Sequence, residues 1–122
     1  MVLCAIFSNE LLYSARKQIA DCLKVSPEEI IFTSGGTESD NLALKGVILQ
    51  KNPEEAEMIT TEFEHPAILN VCKELEELGY IVHYVKPTKE GVILWEDIEK
   101  YINDKTKLVS VMAVNNELGT IQ

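Results

Sequence analysis

A glycine turn, Ser34–Asn41 (SGGTESDN), lies between a short apolar run and a segment with helical spacing. Glycines let an anion approach the backbone closely, and the free N–H groups in the first turn of a helix point at such an anion. Thr37 adds a hydroxyl that can bind the anion or cap the helix. The pattern is neither a Walker A loop nor GxGxxG, so it does not indicate a nucleotide. The turn predicts a phosphate-type anion site, with an ordinary glycine turn and helix cap as the equally weighted alternative.

Two more polar segments, Glu62–Pro66 and Asn115–Gly119, also follow apolar runs. His65 in the first segment is a planar, titratable group that can stack on a ligand or shuttle protons, although a loop histidine is more often simply solvated. The asparagines of the second segment offer a donor and an acceptor for orienting a ligand, but Asn and Gly also form turns readily. The other histidine, His83, lies inside a strand-like run and is predicted to be structural or exposed.

The elements that would position these segments follow from the spacing of the apolar residues. Helices are predicted at Leu11–Lys24, at Glu38–Leu49, between Pro66 and Gly79, and at Leu94–Asn103. Strands are predicted at Ile30–Thr33, Met58–Thr61, Tyr80–Val85 and Leu108–Val114. This alternation indicates a mostly parallel sheet of at least four strands with right-handed crossovers. All three polar segments then follow strands, at the carboxyl edge where ligands collect.

The same pattern predicts which side chains are buried. In the first helix, the apolar stripe that should pack on the sheet unit consists of Leu12, Ala15, Ile19 and Leu23. The near-continuous apolar run Leu108–Val114 suits a strand that is buried on both faces.

The three cysteines, Cys4, Cys22 and Cys72, form no CxxC pair. An odd number without metal-ligand spacing argues against a disulfide framework or a zinc site, so no metal site is predicted. A reducing cytoplasm is the expected location. Cys22 and Cys72 fall on apolar helical stripes and are predicted to be core residues.

The composition bounds the function further. Of the 122 residues, 46% are apolar and 25% are charged, as in one small globular domain. Lys and Arg number 11 against 20 Asp and Glu, so the net charge is −9 and a basic face for nucleic acid is not expected. No apolar run approaches the ~18 residues of a membrane span. The start of the chain lacks the basic region and cleavage site of a secretory signal, so none is expected.

Three motifs in order, SGGTESDN, EHPA and NNELG, resemble those of cysteine desulfurases. The resemblance is to the NifS/IscS branch of the class V aminotransferase family, since the SufS-like branch has different versions of these motifs. It covers residues 11–122, which are expected to form a partial large domain that is truncated at its C-terminus. Residues 1–10 are expected to be an unmatched N-terminal segment.

The resemblance implies an α/β fold: part of the large domain of a pyridoxal 5'-phosphate (PLP)-dependent transferase of fold type I, with a mostly parallel sheet and crossover helices. Enzymes of this family are homodimers that convert L-cysteine to L-alanine. They pass the sulfur on as a persulfide, through a sulfur-acceptor or scaffold protein, chiefly for iron–sulfur clusters and tRNA thiolation.

The motifs also carry residue roles over from the family. By this resemblance, Gly36 and Thr37 hold the cofactor phosphate. His65 stacks on the pyridine ring and takes part in proton transfers. Asn116 hydrogen-bonds near the phenolic oxygen of the ring. The family often has alanine where this chain has Gly36, a mild change that should leave backbone binding intact.

Other family groups have no counterpart here. The family's Schiff-base lysine lies in a Ser-x-His-Lys motif beyond position 122, and so do the aspartate at the pyridine nitrogen and the sulfur-carrying cysteine. The chain alone is therefore expected to be an inactive part of a desulfurase. The alternative is a non-catalytic, phosphate- or partner-binding remnant of one. A related PLP lyase or aminotransferase is disfavoured by the three motifs together.

Overall fold

The computed structural model describes residues 2–122, with side chains described from residue 9 onward, so the side chain of Cys4 lies outside the described part. The chain divides into two compact units, Met1–Thr33 and Ser34–Gln122. Among the described residues, no helix is both long enough and apolar enough to cross a membrane.

The first unit is built on one long helix, α1 (Val2–Leu23). Lys24 follows with a left-handed φ of 58°, a conformation that ends helices. A short 3-10 helix, Pro27–Glu29, comes next. The Glu29 carboxylate accepts a hydrogen bond from the Ser26 N–H at 2.7 Å, which fixes the start of this turn.

Arg16 ties the segment after this turn to α1. Its Nε donates to the Ile30 carbonyl at 3.0 Å, and its guanidinium carbon lies 5.4 Å from the centre of the Phe32 ring. Ile30 is extended, with φ −92° and ψ 118°. However, the sheet of the described residues does not include this segment, so the predicted strand Ile30–Thr33 is wrong. The Ile30 carbonyl accepts its hydrogen bond from the Arg16 side chain of α1 rather than from a neighbouring strand.

The apolar stripe that was expected to be buried on α1 is exposed. Leu12, Ile19 and Leu23 have 43%, 40% and 63% of their surface exposed, and Ala15 is exposed as well. Cys22 is also exposed, so its prediction as a core residue is wrong. Helical spacing defines a face that is able to be buried, but it does not supply the surface that would cover it.

The second unit is a parallel sheet with helices in its crossovers. Its elements are α2 (Gly36–Ile48), β1 (Glu57–Thr61), α3 (Pro66–Glu77), β2 (Ile81–Val85), α4 (Trp95–Glu99) and β3 (Thr106–Val109). The strand order is β2–β1–β3, so β1 is central. The α/β class and the parallel sheet are confirmed.

The two faces of this sheet carry separate apolar clusters. Because successive strand residues point to opposite faces, Met58 and Ile59 of β1 belong to different clusters. The first cluster joins the sheet to α2 and α3 and contains Leu44, Ile48, Ala56, Met58, Ile68, Val71, Cys72, Leu75, Tyr80 and Val82. The second contains Ile59, Val85 and Ile93, with Phe63, Ile98 and Val111 packed against them.

The helix α3 agrees closely with its prediction. Pro66 is its first residue, where the missing N–H costs nothing. The predicted stripe of Ile68, Cys72 and Leu75 is buried. Gly79 follows the helix with φ 92°, a left-handed conformation that favours glycine at a helix end.

The third strand departs from its prediction. The described residues form three strands rather than four or more, and β3 ends at Val109. Val109 is 41% exposed, so the run Leu108–Val114 is not buried on both faces. Beyond β3 the chain leaves the sheet, and Val114 pairs with Ile121 in an antiparallel bridge. β3 is an edge strand, which explains its partial exposure. α4 is also shorter than predicted.

The helices α2 and α3 pack side by side with their C-terminal ends together. Lys45 near the end of α2 forms an ion pair with Glu74 in α3. Tyr80, after α3, donates its hydroxyl to the carbonyl of Lys51, after α2, at 2.7 Å. Both helices contribute to one apolar cluster. α3 begins a short turn after β1, so its N-terminus lies at the carboxyl edge of the sheet.

Candidate functional site

His65 stands at the junction between β1 and α3. It is the N-cap of α3, and its Nδ1 accepts a hydrogen bond from the Ala67 N–H at 3.1 Å. This bond occupies Nδ1 and fixes the orientation of the ring, so that Nε2 is the ring nitrogen left for a ligand. The residue is exposed. The structure therefore presents a held, accessible ring at the carboxyl edge of the sheet.

Asn116 lies on a loop that its neighbour Asn115 builds. Asn115 is buried, and its Oδ1 accepts the N–H groups of Glu117 at 3.0 Å and Leu118 at 2.8 Å. Gly119 closes the loop with φ 72° and donates its N–H to the Asn115 carbonyl at 2.8 Å. Asn116 is exposed beside this turn, where its amide can reach a ligand.

One cavity of about 270 Å³ brings these two segments together, and residues 63–66 and 115–118 line it. His65 and Asn116 therefore share one site, as their predicted positions at the carboxyl edge implied. The volume is close to the lower end of ordinary small-molecule sites.

Glu64 and Asn115 complete this site, and sequence reasoning missed their positioning contacts. Glu64 is buried, and its Oε1 accepts the Thr61 hydroxyl at 3.0 Å and the Met112 N–H at 2.8 Å. Asn115 donates its Nδ2 to the Phe63 carbonyl at 3.2 Å. Both residues stand inside the quoted motifs, but glutamate is almost never fully buried unless it is paired, so nothing in the sequence signalled its burial.

Gly36 and Thr37 occupy the first turn of α2 and lie outside the lining of this cavity. A Cβ built on Gly36 would meet no atom within 4 Å, so the backbone there is open to an approaching group. The N-terminal end of α2 carries partial positive charge from the aligned peptide dipoles of the helix. The open turn is thus able to bind an anion.

Glu38 places an acidic side chain in the first turn of α2. Its Oε2 accepts the Ser34 N–H at 2.7 Å and the Ser34 hydroxyl at 2.6 Å. The hydroxyl bond and then the backbone bond lower the pKa of the Glu38 carboxyl, so it stays ionised at neutral pH. Its negative charge near the helix start should weaken the attraction for a phosphate.

The buried thiol of Cys72 does not resemble a reactive one. Burial raises the pKa of the Cys72 thiol to about 11, with the charges of Glu76 and Glu64 adding to the shift. A thiol of this kind is protonated and inert at neutral pH. Within the part of the chain that the structure describes, no group of three His, Cys, Asp or Glu side chains could hold a metal ion.

Residues 6–122 match the family model of the class V aminotransferases, and the chain belongs to that family. It is 45% identical over 115 residues to the cysteine desulfurase IscS of Vibrio vulnificus. The aligned residues make up 94% of this chain and 28% of that protein. The resemblance to the NifS/IscS branch is thereby confirmed.

The chain is also similar to solved structures. A NifS-like protein shares 44% identity with a TM-score of 0.90, covering 97% of this chain and 32% of that one. SspA in complex with cysteine shares 41% identity with a TM-score of 0.88, covering 97% of this chain and 34% of that one. The chain thus spans about a third or less of the length of these relatives.

Proposed function

We propose that this chain supplies part of the PLP-binding site of a cysteine desulfurase. Such an enzyme converts L-cysteine to L-alanine and passes the sulfur on as a persulfide. The observation that carries the proposal is the cavity shared by His65 and Asn116. Two further findings support it: the relatives named IscS and NifS-like, and the SspA structure that contains cysteine.

The residues present fit the cofactor. Its phosphate suits the start of α2, where the backbone at Gly36 is open and Thr37 adds a hydroxyl. Its ring suits the cavity, where the exposed imidazole of His65 is held by the Ala67 N–H. The bound cofactor would supply the electron sink for the chemistry at the substrate.

The chain's own residues then have separate roles. Gly36 and Thr37 would hold the phosphate. His65 would stack on the ring, and its Nε2 would take part in proton transfers, because its Nδ1 is already occupied by the Ala67 N–H. Asn116 would hydrogen-bond near the phenolic oxygen.

The partners of this function extend the proposal. From the resemblance to the desulfurase family, we propose that the protein forms a homodimer and is cytoplasmic. We also propose that it passes sulfur to a sulfur-acceptor or scaffold protein of iron–sulfur assembly.

A second function, phosphate binding without turnover, has one observation in its favour. The phosphate donors at Gly36 and Thr37 are local to one helix start. A polypeptide of these 122 residues alone holds no Ser-x-His-Lys motif, because neither of its histidines is followed by lysine. We expect the chain alone to bind PLP at best near millimolar, which corresponds to about −4 kcal/mol. We also expect it to form no alanine from cysteine, and steady alanine formation would contradict this.

A chimera tests the proposed function directly. Residues 6–122 replace the matching segment of the Vibrio vulnificus desulfurase, and alanine formation from L-cysteine is measured. We expect activity in the chimera, strong loss in His65→Ala, and no loss in the control Asn70→Ala, an exposed side chain on α3. A chimera that folds and takes up PLP but forms no alanine would overturn the proposal.

A further inference from the structure

Two buried polar side chains join the loop that carries His65 to the loop that carries Asn116. Glu64 is 6% exposed and Asn115 is 4% exposed. Each makes one hydrogen bond across the gap between the loops. The Met112 N–H donates to Glu64 Oε1, and Asn115 Nδ2 donates to the Phe63 carbonyl.

These bonds lie beyond the end of the β1–β3 ladder, where strand pairing no longer connects the His65 loop with the Asn116 loop. The ladder between β1 and β3 ends at Ile59 and Val109, and the Ser110 N–H makes a last bond to the Ile59 carbonyl at 2.9 Å. Beyond that point, within the described residues, the bonds of Glu64 and Asn115 are the hydrogen bonds that connect residues 61–66 with residues 111–118.

Each of these side chains also shapes its own loop. Glu64 Oε1 accepts the Thr61 hydroxyl from the end of β1. Asn115 Oδ1 accepts the two N–H groups that form the turn beside Asn116. Asn115 therefore fixes the backbone of its own turn through Oδ1 and reaches across the gap through Nδ2. Glu64 uses one oxygen, Oε1, for both its local bond to the Thr61 hydroxyl and its bond to the Met112 N–H. Because both side chains are buried, breaking either bond leaves a polar group without a partner, which is costly.

We infer that Glu64 and Asn115 are positioning residues that hold the His65 ring and the Asn116 amide at a fixed separation across the cavity. The inference rests on the proposed function, in which these two groups contact one PLP ring. Glu64 and Asn115 need not touch the cofactor themselves. Their effect should appear in the binding of the ring and leave the binding of the phosphate at α2 unchanged.

Glu64 offers a matched pair of variants. Glu64→Gln removes the charge but keeps an oxygen that can accept the Thr61 and Met112 hydrogen bonds. Glu64→Ala removes the charge and the acceptor oxygen together. If the carboxylate acted only by repelling the cofactor phosphate, both variants would bind PLP more tightly and to the same degree. If it positions the loop, only Glu64→Ala weakens PLP binding, by about five- to tenfold, the worth of one or two hydrogen bonds.

Asn115→Asp is the second variant, for the case that Glu64→Ala does not fold. It keeps the Oδ1 acceptor for the turn and removes the Nδ2 donor to Phe63. Asn70→Asp introduces the same charge at an exposed site on α3 and serves as its control. We expect PLP binding to weaken about three- to tenfold in Asn115→Asp alone.

The experiment measures two dissociation constants for each variant of the 122-residue chain by NMR titration, one for inorganic phosphate and one for PLP. Hydrogen exchange of the Met112 amide is recorded without ligand. The inference predicts unchanged phosphate binding, weaker PLP binding in Glu64→Ala, wild-type PLP binding in Glu64→Gln, and at least tenfold faster Met112 exchange in Glu64→Ala.

Two results would overturn the inference alone: equal PLP binding in Glu64→Ala and Glu64→Gln, or an equal loss of phosphate and PLP binding in Glu64→Ala. A wild-type chain that binds PLP no more tightly than phosphate is a different failure. It would overturn the proposed role of the cavity, and the inference with it. Met112 exchange would then show whether the two loops are still joined.

Discussion

Glu57 Oε2 lies 2.9 Å from His83 Nε2, between the first residue of β1 and the middle of β2. Asn103 Nδ2 donates to the same oxygen at 2.9 Å, and the His83 ring stacks on Tyr101 with ring centres 4.8 Å apart. This network lies at the amino end of β1, opposite the candidate site. His83 is thus structural, one of the two roles that its position in a strand predicted.

The pH dependence of stability tests this network. The bond from Asn103, followed by the bond from His83, lowers the pKa of Glu57 in the folded state. A lowered carboxyl pKa stabilises the fold above the unfolded value of about 4.3, and this contribution is lost as the pH falls through the folded value. We therefore expect Glu57→Gln to flatten the loss of stability between about pH 5 and pH 3. Urea unfolding at several pH values measures it.

Glu54 supplies the control, because it is exposed before β1. Glu54→Gln should leave the acid dependence of the unfolding free energy unchanged. An acid dependence of Glu57→Gln equal to that of wild type would show that the network does not favour the charged carboxylate.

Gly91 and Gly46 should respond to alanine in opposite directions. Gly91 has φ 76°, and a Cβ there would lie 2.7 Å from Leu118 Cδ1. The side-chain contact can relax, but the left-handed backbone remains strained, so Gly91→Ala should cost about 1–2 kcal/mol. Gly46 lies within α2 with no atom within 4 Å of a built Cβ, so Gly46→Ala should stabilise by about 0.5–1 kcal/mol. Urea denaturation measures the free energy of unfolding of both variants. A change of the same sign in the two would contradict the left-handed backbone at Gly91 or the open helical position of Gly46.

The hydroxyl of Thr37 should strengthen the binding of inorganic phosphate. We expect Thr37→Ala to weaken inorganic phosphate binding about three- to tenfold, the worth of one hydrogen bond. Gly36→Val should weaken it further, because a branched side chain blocks the approach to the backbone. NMR titration measures both, with Ser14→Ala on the exposed surface of α1 as the control. Unchanged binding in both variants would place the phosphate elsewhere.

Removing the charge of Glu38 should have the opposite effect. Glu38→Gln keeps an oxygen for the Ser34 bonds but removes the negative charge from the first turn of α2. We expect phosphate to bind about two- to fivefold more tightly at low salt, with the gain shrinking as the salt concentration rises. Weaker binding in this variant would mean that the ionised carboxylate itself organises the site.

The sequence predicted best where local signals and packing agree. Pro66 and Gly79 mark the limits of α3, and its apolar stripe is buried as expected. β1 and β2 agree with their predictions to within one residue. The placing of His65 and Asn116 at one edge followed from the order of strands and helices alone.

The failures share one physical cause: local pattern does not reveal what covers a surface. Ile30–Thr33 has strand-like composition, yet Arg16 takes up the Ile30 carbonyl. Val109 belongs to an apolar run, yet it lies on an edge strand and is exposed. The role of Glu64 was equally hidden, because its partner Met112 lies 48 positions away in sequence.

The most direct test of the central claim is a PLP titration of the 122-residue chain followed by amide NMR. If the start of α2 and the shared cavity bind one cofactor, the signals of Gly36 and Thr37 and those of His65 and Asn116 shift together, with one dissociation constant. Phosphate alone should then shift only the first pair. Shifts at one pair without the other at saturating PLP, or two different dissociation constants, would contradict a single cofactor site.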